Sequence, residues 1–322
     1  MISLKLSEPS PDTKINTQEI SERLAVILAA KYRVVKQLGS GGMSTVWLVR
    51  HRAHGAFFAV KVLHPFLTGH AELREAFYHE AAHTAALSGH PNIVPIFDVD
   101  HADGLHYIVM PYVRGHDLDE VLQQCGPLEL ADALCVALEI AKTLAYAEER
   151  SIMHGDLSPG NVRIDEFGRV LLLDFGLSAP LHVSGPQKVF LLGTPYSMSP
   201  ERLRGERLDM RSELYSLGIL LYHMLVGKPP FEESTVESIE KWHQEGALRF
   251  PEEFMKKHSA LTQWMEGLLA KERAERRPLD AKSLVSALRD LGAVSYRLDL
   301  PISQTSEGKP EAFRRRLSNA ER

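Results

Sequence analysis

Between His154 and Asp174 the chain spaces two carboxylates and an amide in a pattern suited to phosphoryl transfer. The segment reads His154-Gly155-Asp156-Leu157-Ser158-Pro159-Gly160-Asn161, then a short apolar run, then Asp174-Phe175-Gly176. Such a reaction needs one carboxylate to orient the attacking hydroxyl and hard oxygen ligands to hold Mg²⁺ against the nucleotide phosphates. Asp156 suits the first task, and Asn161 with Asp174 suits the second.

These residues need a scaffold. From Tyr32 to Met110 the chain is β-rich: Tyr32 to Val35, Thr45 to Val49, Phe57 to Val62 and Tyr107 to Met110 read as strands. One helix, from about Ala71 to Leu87, interrupts them and ends at His90-Pro91-Asn92. After Pro111 the periodicity turns helical, over Leu128 to Arg150, Glu213 to Val226, Thr235 to Glu245, Ala260 to Ala270 and Ala281 to Leu291. Strands before a hinge and helices after it predict an α+β, bilobal chain. Its N-lobe is a small antiparallel β structure with one main helix, and its C-lobe is larger and helical. We expect a flexible N-terminal extension over 1–30, with a short helix from Gln18 to Ala30. The main domain then spans 31–292, divided near 111 and 112, and 293–322 is a polar C-terminal tail carrying Arg314-Arg315-Arg316.

Gly39-Ser40-Gly41-Gly42-Met43-Ser44-Thr45-Val46 lies between two predicted strands. Glycines let a backbone approach phosphates closely, although a tight β-turn would use them equally well. A strand rather than a helix follows, which disfavours a dinucleotide fold. Ala59-Val60-Lys61 falls on the third strand, where the plain reading of Lys61 is an exposed lysine.

Taken in order, these segments resemble the eukaryotic-like (Hanks-type) Ser/Thr protein kinases of bacteria. The resemblance implies that Asp156, Lys61 and Glu80 are catalytic and that Asn161 and Asp174 bind the metal. It assigns ATP to Gly39, Ser40, Gly41, Gly42, Val46, Ala59, Lys61, Met110, Val113, Asn161 and Asp174, with Mg²⁺ as the metal. Glu80, nineteen residues after Lys61, stands where the family keeps the lysine's partner. Gly193-Thr194-Pro195-Tyr196 through Ser199-Pro200-Glu201 resembles the end of the family's activation loop, and Thr194 in its Gly-Thr-Pro context points to Ser/Thr acceptors. Arg211 to Gly218 resembles the start of its central helix, and Pro229-Pro230-Phe231 follows in place. The resemblance pairs Glu201 with Arg277 in a buried ion pair. It runs from Tyr32 to Leu291.

The chain departs from the pattern at several points. Ser44 replaces the third glycine of the phosphate loop. Gly155 replaces the arginine that docks a phosphorylated activation loop in relatives, and Ser178 and Ser184 are the hydroxyl candidates between Gly176 and Thr194. Ser158 stands where Ser/Thr kinases keep a lysine; losing one transition-state donor costs roughly 3–4 kcal/mol, or about 10²–10³ in rate. Glu213 replaces a shorter aspartate that braces the catalytic loop. Pro111 occupies the hinge, where adenine contacts are mostly backbone groups and Val113 can supply a donor.

A net charge of -5 over 322 residues argues against nucleic acid as the main partner; the resemblance implies a protein partner bearing a Ser or Thr hydroxyl. Cys125 and Cys135 sit ten apart without metal or redox spacing. The longest apolar run, Leu214 to Val226, is too short to span a bilayer, and no signal peptide is visible. The expectation is a soluble, cytoplasmic protein. Two other functions remain: a nucleotide-binding pseudokinase scaffold, and a small-molecule phosphotransferase of the aminoglycoside or choline type, which also uses His-Gly-Asp. His79-Glu80-Ala81-Ala82-His83 matches the zinc-protease pattern, but a third ligand is missing at the required spacing.

Overall fold

The computed structural model describes residues 17–175, 195–232 and 235–302. Strands β1 (Tyr32–Ser40), β2 (Ser44–His51), β3 (Phe57–Leu63), β4 (Asp98–Ala102) and β5 (Leu105–Pro111) form one antiparallel sheet in the order β1-β2-β3-β5-β4. Helix α1 (Thr17–Ile27) is part of this lobe's core. Its Ile20 and Leu24 pack with Trp47, Val49, Val60 and Val62, and each such side chain contributes roughly 1.5–3 kcal/mol on burial. Helix α2 (Ala71–Ala86) packs on the sheet through Leu73, Phe77 and Ala81 against Leu63 and Ile108. Those three positions recur every four residues, so one helical face makes the whole contact.

The C-lobe is built around helix α4 (Leu130–Glu148) and the helix Met210–Val226, both buried along most of their length, with Ala281–Asp290 packed against α4. Asp209 and Ser212 form a capping box that starts Met210–Val226 three residues before the expected Glu213. Gly227 ends it at φ +80, and a Cβ there would lie 2.9 Å from Pro127.

Short elements after the hinge were not expected. Strands β6 (Gly115–Asp117), β7 (Val162–Asp165) and β8 (Val170–Leu172) form a small sheet in the C-lobe, and helix α3 (Leu118–Cys125) follows β6 from an Asp117–Glu120 capping box. Asn161 lies immediately before β7, and Asp174 lies just beyond β8.

The segment after Ala281–Asp290 also packs on the C-lobe. Ala293 and Leu298 are buried, and Leu298 N donates to Gly168 O at 3.0 Å. Gly168 has φ +72, and a Cβ there would meet Leu298 O at 2.1 Å, so this close crossing requires glycine. Residues through Ile302 therefore lie against the core where a polar tail was expected. Ser178, Ser184, Thr194 and Arg314 to Arg316 fall outside the described residues.

Candidate active site

Lys61 lies on β3 between Val46 of β2 and Ile108 of β5. Its side chain is buried, so its charge must be paired. Helix α2 brings Glu80 Oε1 to 2.6 Å from Lys61 Nζ, and Asp174 Oδ2 reaches the same nitrogen at 3.0 Å from the C-lobe. One ammonium thus joins both lobes. Burial alone would lower its pKa, but Asp174 and Glu80 outweigh that and raise it above the ordinary lysine value.

The sequence-predicted residues of the C-lobe converge on the same place. Asn161 closes a 3₁₀ turn, Pro159–Asn161, and its Nδ2 donates to Asp156 O at 2.7 Å and to Asp156 Oδ2 at 3.0 Å. That leaves Asn161 Oδ1 as its oxygen ligand. Asp174 adopts φ +57, a left-handed conformation uncommon for a non-glycine residue and frequent at functional sites.

His154 links the two loops. Its Nε2 bonds to Leu173 O at 2.8 Å, and its Nδ1 accepts from Asp156 N at 3.2 Å. The second bond requires an unprotonated Nδ1, so the ring is the neutral Nε2–H tautomer. Burial lowers its pKa accordingly. The ring packs on Phe175 with centroids 4.7 Å apart.

Glu213 braces the loop from below. Its Oε1 accepts Gly155 N at 2.7 Å, while its buried Oε2 has no hydrogen-bond partner among the described residues. Burial pushes its pKa up to about 7, against the opposing pull of Gly155 N and Arg202. Glu213 thus makes one bracing bond to the loop and leaves its second oxygen without a partner among the described residues. Because the folded pKa is raised, the carboxyl is protonated in the native state between about 4.5 and about 7 while the unfolded chain has lost its proton. Its contribution to stability falls as pH rises through that window. We expect the Tm advantage of Glu213→Gln over wild type to grow from pH 5 to pH 8, measured by calorimetry. A gap independent of pH would contradict the assignment.

Sequence reasoning missed His64, which follows β3. Its Nε2 bonds to Gly41 O at 3.0 Å, and its backbone N donates to Met43 O at 2.9 Å. The Gly-rich turn is therefore tied to the strand that carries Lys61. The signal was faint: an isolated histidine three residues after Lys61, with a tertiary partner. Replacing His64 by alanine removes one hydrogen bond, ~0.5–1.5 kcal/mol. Denaturant unfolding of His64→Ala is expected to show that loss, and a midpoint equal to wild type would contradict the tie.

At the hinge, Met110 pairs with Ala59 and Pro111 with Phe58. Arg163 of β7 donates through Nε to Val113 O at 2.8 Å and through Nη2 to Gly115 O at 2.6 Å. The Val113 carbonyl is thus committed to Arg163. Gly39 and Ser40 end β1, and Gly41 N donates to Ser44 O at 2.8 Å across the turn.

One expected pairing is corrected. Glu201 pairs with Arg276, through contacts of 2.6 and 2.5 Å, and both side chains are fully buried. Arg276 Nε is fixed on Ala270 O at 2.8 Å. The neighbouring Arg277, which follows the 3₁₀ turn Arg273–Glu275 and Arg276, is exposed, and among the described residues its side chain bonds to the nearby carbonyls of Ala274 and Arg276. In the zinc-like segment, Glu80 is spent on Lys61, and the described residues hold no cluster of three metal-ligating side chains.

A β-sheet lobe and a helical lobe joined through one clasped lysine define the protein-kinase fold. A crystal structure of the Mycobacterium tuberculosis PknI kinase domain matches it with a TM-score of 0.62 at 26% identity, covering 82% of this chain and 97% of that one. The chain belongs to the protein kinase family, whose protein kinase domain pattern matches residues 32–286. Among curated relatives, it is 33% identical over 239 residues to a probable serine/threonine-protein kinase of Corynebacterium efficiens, covering 72% of this chain and 36% of that protein. It is 33% identical over 217 residues to serine/threonine-protein kinase PrkC of Bacillus subtilis, covering 67% and 33%. To PknB of Mycobacterium tuberculosis it is 35% identical over 223 residues, covering 67% and 36%. The chain therefore spans about a third of the length of these relatives. No helix among the described residues is long and apolar enough to cross a membrane.

Proposed function

We propose that this chain is a protein serine/threonine kinase that transfers the ATP γ-phosphoryl group to a protein hydroxyl with Mg²⁺. The observation that carries the reading is Lys61 Nζ held between Glu80 at 2.6 Å and Asp174 at 3.0 Å, beside an Asp156–Asn161 pair. Asp174 and Asn161 offer a carboxylate and an amide oxygen, the hard donors Mg²⁺ prefers. Bound there, the ion would neutralise charge on the β- and γ-phosphates. Lys61 holds the α- and β-phosphates, and Glu80 keeps it aimed. Asp156 accepts a hydrogen bond from the substrate hydroxyl and takes its proton as the new P–O bond forms and the bond from the γ-phosphorus to the bridging oxygen breaks, releasing ADP. The Gly39–Gly42 turn, tied by His64, covers the phosphates, and Val46, Ala59, Met110 and Val113 surround the base. A cytoplasmic location goes with this reading, because ATP is the donor it requires.

Ser158 favours a second reading, a nucleotide-binding scaffold without transfer, because it leaves the moving phosphoryl group without the family's lysine. Incubating the full chain with labelled ATP, Mg²⁺ and generic protein acceptors separates the two. Incorporation into serine and threonine, located by mass spectrometry, supports the kinase. Nucleotide binding without transfer under Mg²⁺ or Mn²⁺ supports the scaffold, and transfer only to small alcohols would replace both readings.

A further inference from the structure

At the end of the N-lobe sheet farthest from the Gly-rich turn lies a cavity of about 340 Å³ lined by Arg33, Arg50, His51, Arg52 and Gly55. β1 and β2 connect the two places, from the Tyr32–His51 pair at one end to the Ser40–Thr45 pair at the other. At about 3.3 Å per residue the cavity lies roughly 20–25 Å from the phosphate loop.

Arg33 stands directly opposite Arg50 across the β1–β2 ladder. Like charges in that position repel one another and weaken the pairing. Among the described residues no carboxylate forms an ion pair with Arg33, Arg50 or Arg52. General basicity does not account for the cluster, because the chain carries a net charge of -5.

Of these three exposed arginines, Arg50 and Arg52 are also held in place. Arg50 Nε donates to Gly55 O at 3.0 Å, and Arg52 Nε donates to Tyr32 O at 3.3 Å. Each bond fixes the inner nitrogen and leaves the terminal amino groups for another acceptor. Gly55, at φ +74, gives Arg50 its room: a Cβ there would lie 3.1 Å from Arg50 Nη2. His51 stacks on His54 at 3.8 Å, and its Nδ1 accepts from Ala53 N at 3.2 Å, so its Nε2 is a further donor.

We propose that this cavity binds a small phosphate-bearing polyanion of about pyrophosphate size, at a site separate from the nucleotide cleft. Guanidinium forks match phosphate oxygens two at a time. The anion would also relieve the Arg33–Arg50 repulsion. The volume sits at the small end of ligand clefts, about 300–1,000 Å³, and the open lining is more polar than apolar. A free oligophosphate and a phosphorylated lipid headgroup present the same chemistry. The inference stands independently of phosphoryl transfer, because its readout is binding.

The test titrates the full chain, free of metal, with inorganic pyrophosphate at constant ionic strength and measures heat. Wild type is expected to bind one equivalent. Arg33→Gln with Arg50→Gln should weaken binding by roughly tenfold for each guanidinium removed, and Arg52→Gln alone by roughly tenfold. With the repulsion removed, the unliganded double variant should melt no lower than wild type, which separates lost binding from lost folding. Lys61→Met should leave this site intact. Co-sedimentation with phosphatidylcholine vesicles, with and without a phosphorylated inositol lipid, identifies the source. Lipid-dependent binding that pyrophosphate displaces points to a headgroup, and pyrophosphate binding alone points to a free anion. The proposal is overturned if neither ligand binds saturably or if the arginine variants bind as wild type does. It is equally overturned if binding survives those changes and vanishes in Lys61→Met.

Discussion

Replacing Asp156 by asparagine is expected to lower kcat for phosphoryl transfer by about 10³-fold, within the 10²–10⁴ range for a positioned proton acceptor. The affinity for MgATP should stay within about threefold of wild type, because an interaction confined to the transition state is being removed. The substitution is gentle. Asn161 Nδ2 donates to the Asp156 backbone and side-chain oxygens at 2.7 and 3.0 Å; the first bond is untouched by the change, and an asparagine Oδ1 can still accept the second. His154 accepts from Asp156 N, which the change does not touch. What is lost is the second carboxylate oxygen as a base. Single-turnover transfer beside equilibrium nucleotide binding checks the split. Equal transfer by the variant would remove Asp156 from the reaction. Asp174→Ala is the contrasting case, since Asp174 also contacts Lys61 at 3.0 Å; nucleotide binding and transfer should fall together.

The parts of the site that lie close in sequence, or at fixed spacings on one element, were legible. Asp156 and Asn161 lie five residues apart in one loop, while Glu80 was read as the partner of Lys61 from the family resemblance and the structure brings the two to 2.6 Å. Residues whose roles arise from tertiary contact were not. His64 gives no local sign that its ring will reach Gly41 O, because that bond exists only once the β1–β2 turn folds over β3. The Glu213 substitution was visible, but the stranded Oε2 depends on how the C-lobe closes around it. Strands β6 to β8 are three or four residues long, too short for alternation to mark them. Leu298, Leu300 and Ile302 carried a two-residue alternation that the polar character of the tail concealed. Their packing on the C-lobe follows from it.

The adjacent Arg276 and Arg277 pose the sharpest case, since identical neighbours cannot be told apart by local pattern. The structure separates them fully: Arg276 is 0% exposed and paired with Glu201, while Arg277 lies at the surface. Arg276→Met should therefore destabilise the protein by about 3–5 kcal/mol, the usual cost of leaving one member of a buried pair unpaired. Arg277→Met should stay within about 0.5 kcal/mol of wild type. Denaturant unfolding measures both, and similar losses would restore the pairing read from the sequence. The acid side supplies an independent check. Arg276 and Ser212 pull the Glu201 carboxyl down to about 2 against the effect of burial. A depressed folded pKa contributes stability above the unfolded value of about 4.5 that is lost as pH falls toward 2. Wild type should lose that contribution over this window, whereas Arg276→Met has no pair left to lose and should show a flatter acid limb. Adding Glu201→Gln to Arg276→Met should recover part of the stability, because the buried charge is then gone.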